Sequence, residues 1–413
     1  MILPTWVSNL KPLVRWSTGI VVRYEETKLL FDPLESIPDV PDLFISHAHR
    51  DHARGFQFPV QEKYSTKETL AINEADSRRK VGNWQEVRRG RRLKVGDVEI
   101  EAHDAGHVLG AVQYEIITPY SNLVYASHIS FTDALLSRAA EVAPCDLLVI
   151  EATYPTVPPK RARESVIADI VKWALDCIKE NRIPTFETDS IGNAQELVRA
   201  FNLWTELPVI VHPQIARINK VYENSGIGLR YQDASTEEAL KIVEGSRCVV
   251  IVPRFFDTTR YGNFRTAYVS GWLGSYRESD RKVFLLNDQA DLEELLQYAE
   301  EARPKSVVTF HGASDLFARM LSKRLGVQVT QLVTEPIRKR GQRVRLDEKR
   351  ILSCQNILTN FIQTPGFTYD KRDLIGLCSR EGFQIPEIEE ALLRMANSGV
   401  LKYSPIVDGY SMP

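Results

Sequence analysis

One short segment constrains this chain more than any other: Ser-His-Ala-His-Arg-Asp-His, which holds His47, His49, Asp51 and His52. The apolar run before it, residues 43–45, predicts a strand, so the segment is the loop that follows that strand. In such a loop His47 and His49 can face one ion, while Asp51 and His52 face a neighbouring position. With 8 histidines in 413 residues, chance clustering at the surface is the weaker alternative. The segment therefore predicts a metal site.

Further ligands are needed, because Zn²⁺ takes about four or five donors. His107, in Ala-Gly-His-Val-Leu-Gly, lies between glycines that permit close backbone approach, and we expect it to be the third imidazole of the first ion. His311 follows the predicted strand Ser306–Phe310 and is placed as a loop ligand would be. His103 and His212 have no comparable setting, and we interpret them as ordinary surface or core histidines.

Composition places the chain among ordinary folded proteins, with 43% hydrophobic and 26% charged residues. The formal net charge is -2, so affinity for a polyanion has to come from local patches. Five cysteines without a Cys-x-x-Cys pair favour buried free thiols over a disulfide framework or a zinc ribbon. There is no long apolar stretch and no secretory pattern, so we expect a cytoplasmic protein without a membrane partner.

Hydrophobic periodicity predicts a mixed α/β chain. Two alternating runs, residues 19–24 and 28–32, predict a β-hairpin. Further strands are predicted at 43–45, 98–102, 112–117, 123–126, 184–186, 208–211 and 248–252. Helices are predicted at 166–180 and 193–204, and their alternation with strands indicates a mostly parallel sheet covered on both faces.

The last part of the chain differs in character. A basic run at 336–350 predicts a linker. Beyond it, helices at 351–362, 371–381 and 386–397 and a hairpin at 400–403 and 409–412 suggest a winged helix-turn-helix. A small helical packing or dimerisation module is the alternative, and contact with nucleic acid or with protein is left open.

Several of these motifs resemble the metallo-β-lactamase domain of the β-CASP nucleases. The resemblance rests on Asp32 in Leu-Phe-Asp-Pro, on the segment from His47 to His52, and on His107. Glu151, in Val-Ile-Glu-Ala-Thr-Tyr, is similar to the acidic motif at which the inserted β-CASP domain begins, and His311 is similar to the last histidine motif.

Within that family, ligase-associated DNA exonucleases and mRNA 3′-end processing exonuclease-like proteins are the most similar. The similarity is carried by segments 190–196, 270–273 and 307–312 and spans about residues 13 to 335, so the tail lies outside it. Two positions depart from the pattern. His128 stands where the family has an aspartate that bridges both metals, and a neutral ring offers one lone pair to one ion. Gln289 stands where the family has a histidine that binds the scissile phosphate and aids proton transfer.

The resemblance implies a cofactor and a set of roles. The cofactor is Zn²⁺, as one or two ions, with Mn²⁺ as an alternative. One ion is held by His47, His49 and His107, the other by Asp51, His52 and His311, and His128 joins one of them. Asp32 orients a ligand histidine. The catalytic candidates are Asp51, Glu151 and Gln289.

Substrate contacts are predicted at Ser270 and, in the basic run, at Arg338 and Arg340. Phosphate contact is the usual role of such basic clusters, with a solvated surface as the alternative. We therefore expect a nucleic-acid partner, DNA or RNA, and consider a ligase, a helicase or another repair or processing protein as a further partner.

Four functions stay open. The first is an exonuclease acting on DNA ends during repair, and the second is an RNA-processing nuclease of the same architecture. The third is a metal-binding subunit with little or no activity, suggested by His128 and Gln289 together. A small-molecule metallohydrolase such as a lactonase is the fourth, although it would lack the inserted domain.

The expected fold is an αββα metallo-β-lactamase sandwich with an inserted α/β β-CASP domain and a C-terminal winged-helix-like domain. The expected boundaries are 1–155 and 286–336 for the two parts of the sandwich, 156–285 for the insert, 337–350 for the linker and 351–413 for the C-terminal domain.

Overall fold

The computed structural model describes residues 12–152, 162–254, 256, 263–271, 282–312, 314–332, 348–362, 368–404 and 409–412. The predicted substrate contacts Arg338 and Arg340, and most of the predicted linker, lie outside these ranges. The described residues form a mixed α/β structure with four sheets.

The first sheet contains the predicted hairpin at one side and parallel strands at the other. Its strands, in spatial order, are β1 (Leu13–Trp16), β2 (Ile20–Tyr24), β3 (Thr27–Phe31), β4 (Asp42–Phe44), β5 (Glu62–Ser65) and β6 (Trp84–Glu86). The first three strands pair antiparallel, and β3 to β6 pair in parallel. Helix α1 (Lys67–Ser77) follows β5 and is capped by Thr66, whose hydroxyl accepts from the N–H of Thr69 at 3.2 Å.

The second sheet joins strands from distant parts of the chain. Five come from one stretch: β7 (Leu93–Val95), β8 (Val98–Asp104), β9 (Val112–Ile117), β10 (Asn122–Ala126) and β11 (Leu147–Glu151). Two come from later in the chain, β18 (Ser306–Phe310) and β19 (Gln328–Gln331), and the spatial order is β19-β18-β11-β10-β9-β8-β7. Strands β10, β11, β18 and β19 are parallel, whereas β7 to β10 are antiparallel.

A shared aromatic core lies between these two sheets. Phe44 of the first sheet stacks on Phe31 and Tyr64, with ring centroids 5.2 and 4.6 Å apart. It also contacts the edge of Tyr114 from the second sheet at 5.3 Å. All of these rings belong to one buried cluster, so the two sheets pack face to face.

The third sheet is formed entirely within residues 183–285. Its strands are β12 (Ile183–Thr188), β13 (Val209–Val211), β14 (Gln232–Asp233), β15 (Val249–Pro253), β16 (Phe264–Ser270) and β17 (Lys282–Leu285), all parallel, in the order β14-β13-β15-β12-β16-β17. The associated helices are α2 (Arg163–Lys179), α3 (Asn193–Trp204), α4 (Pro213–Asn224) and α5 (Glu237–Glu244). Strand β13 is buried along its whole length, as expected for a continuous apolar run in a parallel sheet.

Helices α6 (Leu292–Ala302) and α7 (Ser314–Leu325) follow the third sheet, and α7 packs on β18 and β19. The C-terminal part contains α8 (Glu348–Phe361), β20 (Tyr369–Asp370), α9 (Lys371–Arg380), α10 (Ile385–Asn397), β21 (Lys402–Ser404) and β22 (Gly409–Ser411), with sheet order β20-β22-β21. It has its own buried core. Arg78 at the end of α1 forms ion pairs with Asp370, at 2.8 Å, and with Asp373, which joins this part to the first sheet.

Two composition-based expectations can be compared with the structure. All five cysteines are buried and free, as predicted. In the described residues, no helix combines the length and the apolar character that crossing a membrane would require.

We predict that Phe44→Ala destabilises the protein strongly, because Phe44 is fully buried between three aromatic rings. The loss should be about 3–5 kcal/mol, since the cavity is surrounded by rigid rings that cannot close it. Urea unfolding monitored by tryptophan fluorescence measures this free energy. Leu13→Ala, at a side chain that is 54% exposed, is the control, and an equal effect of both changes would contradict the interpretation.

Candidate metal centre

The histidine-rich loop begins after β4 and turns back on itself within a few residues. The backbone N–H groups of His52 and Ala53 both donate to the carbonyl of His49, at 3.0 and 2.8 Å. This tight turn brings the predicted ligands together: the ring of His47 lies 4.9 Å from that of His49 and 4.2 Å from that of His52, between centroids. One loop therefore supplies three neighbouring imidazoles.

The other predicted site residues lie at the carboxyl ends of parallel strands. Glu151 ends β11 and is in register with Phe310 of β18, the residue before His311. Strand β10 is parallel to β11, so His128, just beyond β10, lies at the same edge. Asp32 likewise follows β3 next to β4. Because neighbouring parallel strands end at one edge of a sheet, segments far apart in the chain meet there.

Four imidazoles form the centre of the site: His47, His49, His107 and His128. One ring nitrogen of each lies within 4.8 Å of the others. The backbone before His107 approaches its neighbours closely at Gly106, which has φ of +70° and where a Cβ would lie 2.5 Å from the Ser130 carbonyl oxygen. The expectation that glycine permits close approach here is confirmed.

Hydrogen bonds on the outer sides of the rings determine which nitrogen faces inward. Nδ1 of His107 lies 2.8 Å from the carbonyl oxygen of Asp288. Because a carbonyl only accepts, Nδ1 carries the proton and Nε2 keeps a lone pair. The same reasoning applies to His49, whose Nε2 faces the carbonyl of Ile191 at 3.3 Å, which leaves Nδ1 as the acceptor.

The inward nitrogens lack protein donors. Nε2 of His47 is buried without a hydrogen-bond partner in the part of the chain that the structure describes. Nε2 of His107 lies 3.1 Å from Nδ1 of His49, so two lone pairs face each other. Such lone pairs repel unless a cation lies between them, and nitrogens on a tetrahedral Zn²⁺ are about 3.3 Å apart for Zn–N distances of about 2.0 Å. The residues present therefore fit a metal ion.

The electrostatic environment also favours neutral ligand rings. Burial, followed by the neighbouring imidazoles, holds the pKa of His47 and of His107 well below the ordinary value. His52 is different: burial alone would lower its pKa, but Asp51 and Asp32, followed by Glu151, outweigh burial and raise the pKa to about 10. A metal ion at His52 would therefore have to displace a proton.

Asp32 organises the side of the site that faces the sandwich core. It accepts from the N–H of Ser46 at 2.7 Å, from the Ser46 hydroxyl at 2.5 Å and from the Tyr125 hydroxyl at 2.9 Å. Nδ1 of His52 lies 2.9 Å from the same carboxylate, so the proton on Nδ1 directs Nε2 towards the site. The Ser46 hydroxyl donates to Asp32 and can therefore accept from Nδ1 of His47, 2.8 Å away.

The two departures from the family pattern are in direct contact. The side-chain amide of Gln289 lies 3.0 Å from Nδ1 of His128, and Nε2 of His128 lies 3.3 Å from the carboxylate of Glu151. Burial alone would raise the pKa of Glu151, but His128, His52 and His311 hold it far below its usual range. Glu151 is thus a buried carboxylate that stays charged against an imidazole.

Two further predicted ligands lie at the margin of the cluster. The Asp51 side chain is 72% exposed, and its carboxylate is 3.8 Å from Nε2 of His52. His311 packs against the edge of Trp16, with centroids 4.6 Å apart, and has a φ of +56°. A positive φ is costly for a residue with a side chain and is frequent at functional sites.

The predicted substrate contacts are placed differently. Ser270 ends β16, is 1% exposed, and its hydroxyl accepts from Arg254 at 2.6 Å. Any role of Ser270 towards substrate would therefore pass through Arg254. A second basic run, residues 88–92, is paired with carboxylates. Arg89 pairs with Asp104 at 2.8 Å, Arg88 with Glu86, and Arg92 with Glu99 and Glu101.

Several residues that shape the site were not singled out from the sequence. They are Ser46, Tyr125, Asp189, Arg254, Asp288 and Ser127, whose hydroxyl donates to Glu151 at 3.1 Å. Ser46 and Asp288 are next in sequence to the predicted site residues His47 and Gln289, and this adjacency could have indicated that they lie at the site. The position of Arg254 depends on how strands pair across the third sheet, and no short motif marks it.

Comparison with known proteins adds relatives over a large part of the chain. No family model matches. The chain is 29% identical over 304 residues to a probable DNA ligase of Opitutus terrae, covering 68% of this chain and 28% of that protein. It is 26% identical over 219 residues to cleavage and polyadenylation specificity factor subunit 3 of Dictyostelium discoideum, covering 45% of this chain and 28% of that protein. The chain thus spans less than a third of either relative.

A solved structure, that of a protein of unknown function from Enterococcus faecalis, has a similar fold. The TM-score is 0.54 at 16% identity, and the match covers 78% of this chain and 97% of the other. At this identity the likeness concerns the fold alone.

The packed sheets and the histidine cluster at their carboxyl edge form a mixed α/β structure that is consistent with a metallo-β-lactamase fold. The motifs of this chain resemble those of the β-CASP nucleases, and its relatives also include a probable RNase of Methanocaldococcus jannaschii, 26% identical over 51% of this chain and 56% of that protein.

We predict that Asp32→Asn weakens metal binding about 10–100-fold, because the amide cannot accept all four donors and would turn an N–H group towards Ser46 or His52. Competition between the protein and a zinc chelator measures the affinity. Asp39→Asn, at an exposed carboxylate, is the control. Unchanged affinity in Asp32→Asn would contradict the orienting role.

Proposed function

We propose that this chain is a metal-dependent phosphodiesterase that cleaves nucleic acid. The observation that carries the proposal is the convergence of three ring nitrogens, from His47, His49 and His107, without a protein donor between them. Such a centre suits hydrolysis: when bound, Zn²⁺ acts as a Lewis acid that polarises a phosphodiester and lowers the pKa of water.

We propose Zn²⁺ as the metal, because imidazoles dominate the donor set, with Mn²⁺ as the alternative. His47, His49 and His107 hold the first ion. His128 lies within 4.8 Å of them, but its Nδ1 accepts from Gln289 and its Nε2 donates to Glu151, so His128 can ligate the ion only if its bond to Gln289 is given up. A second position retains Asp51, His52 and His311 but lacks the bridging carboxylate. This second position should therefore bind an ion more weakly than the first.

The protein groups around the ion have separable tasks. Asp32 fixes the orientation of His52 through its carboxylate. Glu151 is the candidate for moving a proton, because its carboxylate is buried, charged and in contact with His128. Gln289 donates a hydrogen bond to His128 and keeps that ring in place; it cannot carry a proton itself.

The substrate we favour is DNA with a free end, processed during repair. The matching relative from Opitutus terrae is a probable DNA ligase, so we infer that a ligase is a partner of this chain or acts on the same DNA. RNA processing is the second candidate, favoured by the match to a cleavage and polyadenylation specificity factor. The contact between His128 and Gln289 favours a third, a metal-binding subunit with little activity.

We also infer a domain division from the sheets. The third sheet, within 183–285, is the inserted β-CASP domain, between the two parts of the sandwich. The three helices and three-stranded sheet after residue 347 form the winged-helix-like domain. Its helices would supply a second contact to nucleic acid or to a protein partner.

We predict that the purified protein degrades end-labelled single-stranded DNA or RNA in the presence of Zn²⁺ or Mn²⁺. His49→Ala should reduce turnover about 100-fold or more, because it removes an inward-facing ligand. Gel analysis of the labelled products, with His103→Ala as a control at a histidine paired with Glu115, separates the outcomes. Equal and negligible turnover by wild type and His49→Ala would favour the binding-subunit hypothesis over the enzyme.

A second prediction concerns the number of ions. Elemental analysis after dialysis should give one tightly held ion per chain for the wild type, because the second position lacks its bridging carboxylate. His128→Asp should raise the content towards two, and combined with Gln289→His it should also raise turnover. Two tightly held ions in the wild type would contradict the weak second position, and unchanged content in His128→Asp would contradict a role of His128 in setting it.

A further inference from the structure

A cluster of polar side chains lies at the carboxyl edge of the third sheet. Asp189 follows β12, Arg254 follows β15 and Ser270 ends β16. Strand β12 lies between β15 and β16, so the three positions are neighbours. From β12 the chain crosses first to one side and later to the other, which makes this edge a topological switch point, where open α/β sheets bind ligands.

The orientation of Arg254 is fixed by its partners, which do not use all of its N–H donors. Nη2 donates to the Asp189 carboxylate at 2.8 Å and to the Ser270 hydroxyl at 2.6 Å. The guanidinium lies 5.6 Å from the centroid of the Tyr268 ring. Among the described residues, the buried Nε has no hydrogen-bond partner, and the side chain as a whole is 30% exposed. A guanidinium has five N–H donors, so Arg254 retains donors for a ligand.

This edge faces the metal centre. Ile191, two residues after Asp189, places its carbonyl oxygen 3.3 Å from Nε2 of His49. Burial raises the pKa of Asp189 to about 7, Arg254 opposes this, and the charges of Asp288 and Asp51 raise it further. Asp189 interacts with both Arg254 and Asp51, so its carboxylate lies between the edge of the third sheet and the metal site.

The charges near Arg254 bear on its role towards a nucleic acid. The charges of Asp51 and Asp288 act on Asp189, so carboxylates that repel the phosphates of a nucleic acid lie near this edge. Arg254 forms an ion pair with Asp189, and its orientation is fixed before a ligand arrives. Preorganised guanidinium groups bind phosphate well, because they lose little rotamer freedom.

We propose that Arg254 binds a backbone phosphate of the nucleic-acid substrate at the carboxyl edge of the third sheet, positioned by Asp189 and Ser270. This inference rests on the proposed function, and it names one residue by which the third sheet contacts the substrate. Asp189 and Ser270 are positioning residues that act through the guanidinium.

The test measures binding separately from cleavage. Fluorescence anisotropy of a short fluorescein-labelled thymidine oligonucleotide with phosphorothioate linkages gives the affinity over a range of NaCl concentrations. For Arg254→Ala, we expect affinity to fall about tenfold, as for a lost charged hydrogen bond. The slope of log affinity against log salt should decrease by about 0.7, the value for one phosphate contact on a single strand. Arg254→Lys should restore the slope and part of the affinity.

The matched control is Arg265→Ala, on β16 but paired with Glu180 at the surface. It should leave affinity and slope unchanged, and circular dichroism with a thermal midpoint checks that each variant is folded. Wild-type affinity in Arg254→Ala, or equal losses in Arg254→Ala and Arg265→Ala, would overturn the proposal while leaving the proposed function intact. Absence of binding by the wild type itself would instead overturn the proposed function, and this inference with it.

Discussion

The Asp32 carboxylate is the interaction on which the rest of the site depends. It accepts from the backbone and side chain of Ser46, just after β4 of the first sheet, from Tyr125 in the second sheet, and from His52 in the histidine loop. One buried anion thus connects both halves of the sandwich to the loop that carries the ligands. A buried carboxylate is costly unless it is fully hydrogen-bonded, and these four donors meet that requirement. The backbone at Asp32 is held at a positive φ of 44°, which is tolerated because the same contacts fix it.

Much of the fold could be predicted from the sequence, because hydrophobic periodicity and helix stop residues act within single segments. Strand β9, helix α3 and strand β18 have the predicted bounds, since a full apolar period or a clear stop residue defines each of them. Elements with mixed burial were less visible: helix α1 buries few side chains, and its periodicity is correspondingly weak. The same distinction applies to the site. The spacing of His47, His49 and His52 was readable, because one loop carries all three.

Contacts between segments that are far apart in the sequence could not be predicted from local patterns. Gln289 and His128 are 161 positions apart, and only the fold shows that these two unusual residues touch. Each departure taken alone suggested a lost function. Together with Glu151 they form a hydrogen-bonded row, amide to imidazole to carboxylate, in which every polar group has a partner. The role of Arg254 has the same origin, because it depends on β15 and β16 flanking β12.

The balance of charge links this row to the number of ions. Asp32, Asp51 and Glu151 contribute three negative charges near the imidazole cluster, and His128 contributes none when neutral. Two divalent ions would leave the site with excess positive charge in a largely buried place, whereas one ion, together with the proton that His52 retains, leaves it close to neutral. An aspartate at position 128 would offset the second ion both by its charge and by bridging. The exchange of that carboxylate for an imidazole, held by Gln289 and Glu151, therefore favours a centre with one firmly bound ion and a weaker second position.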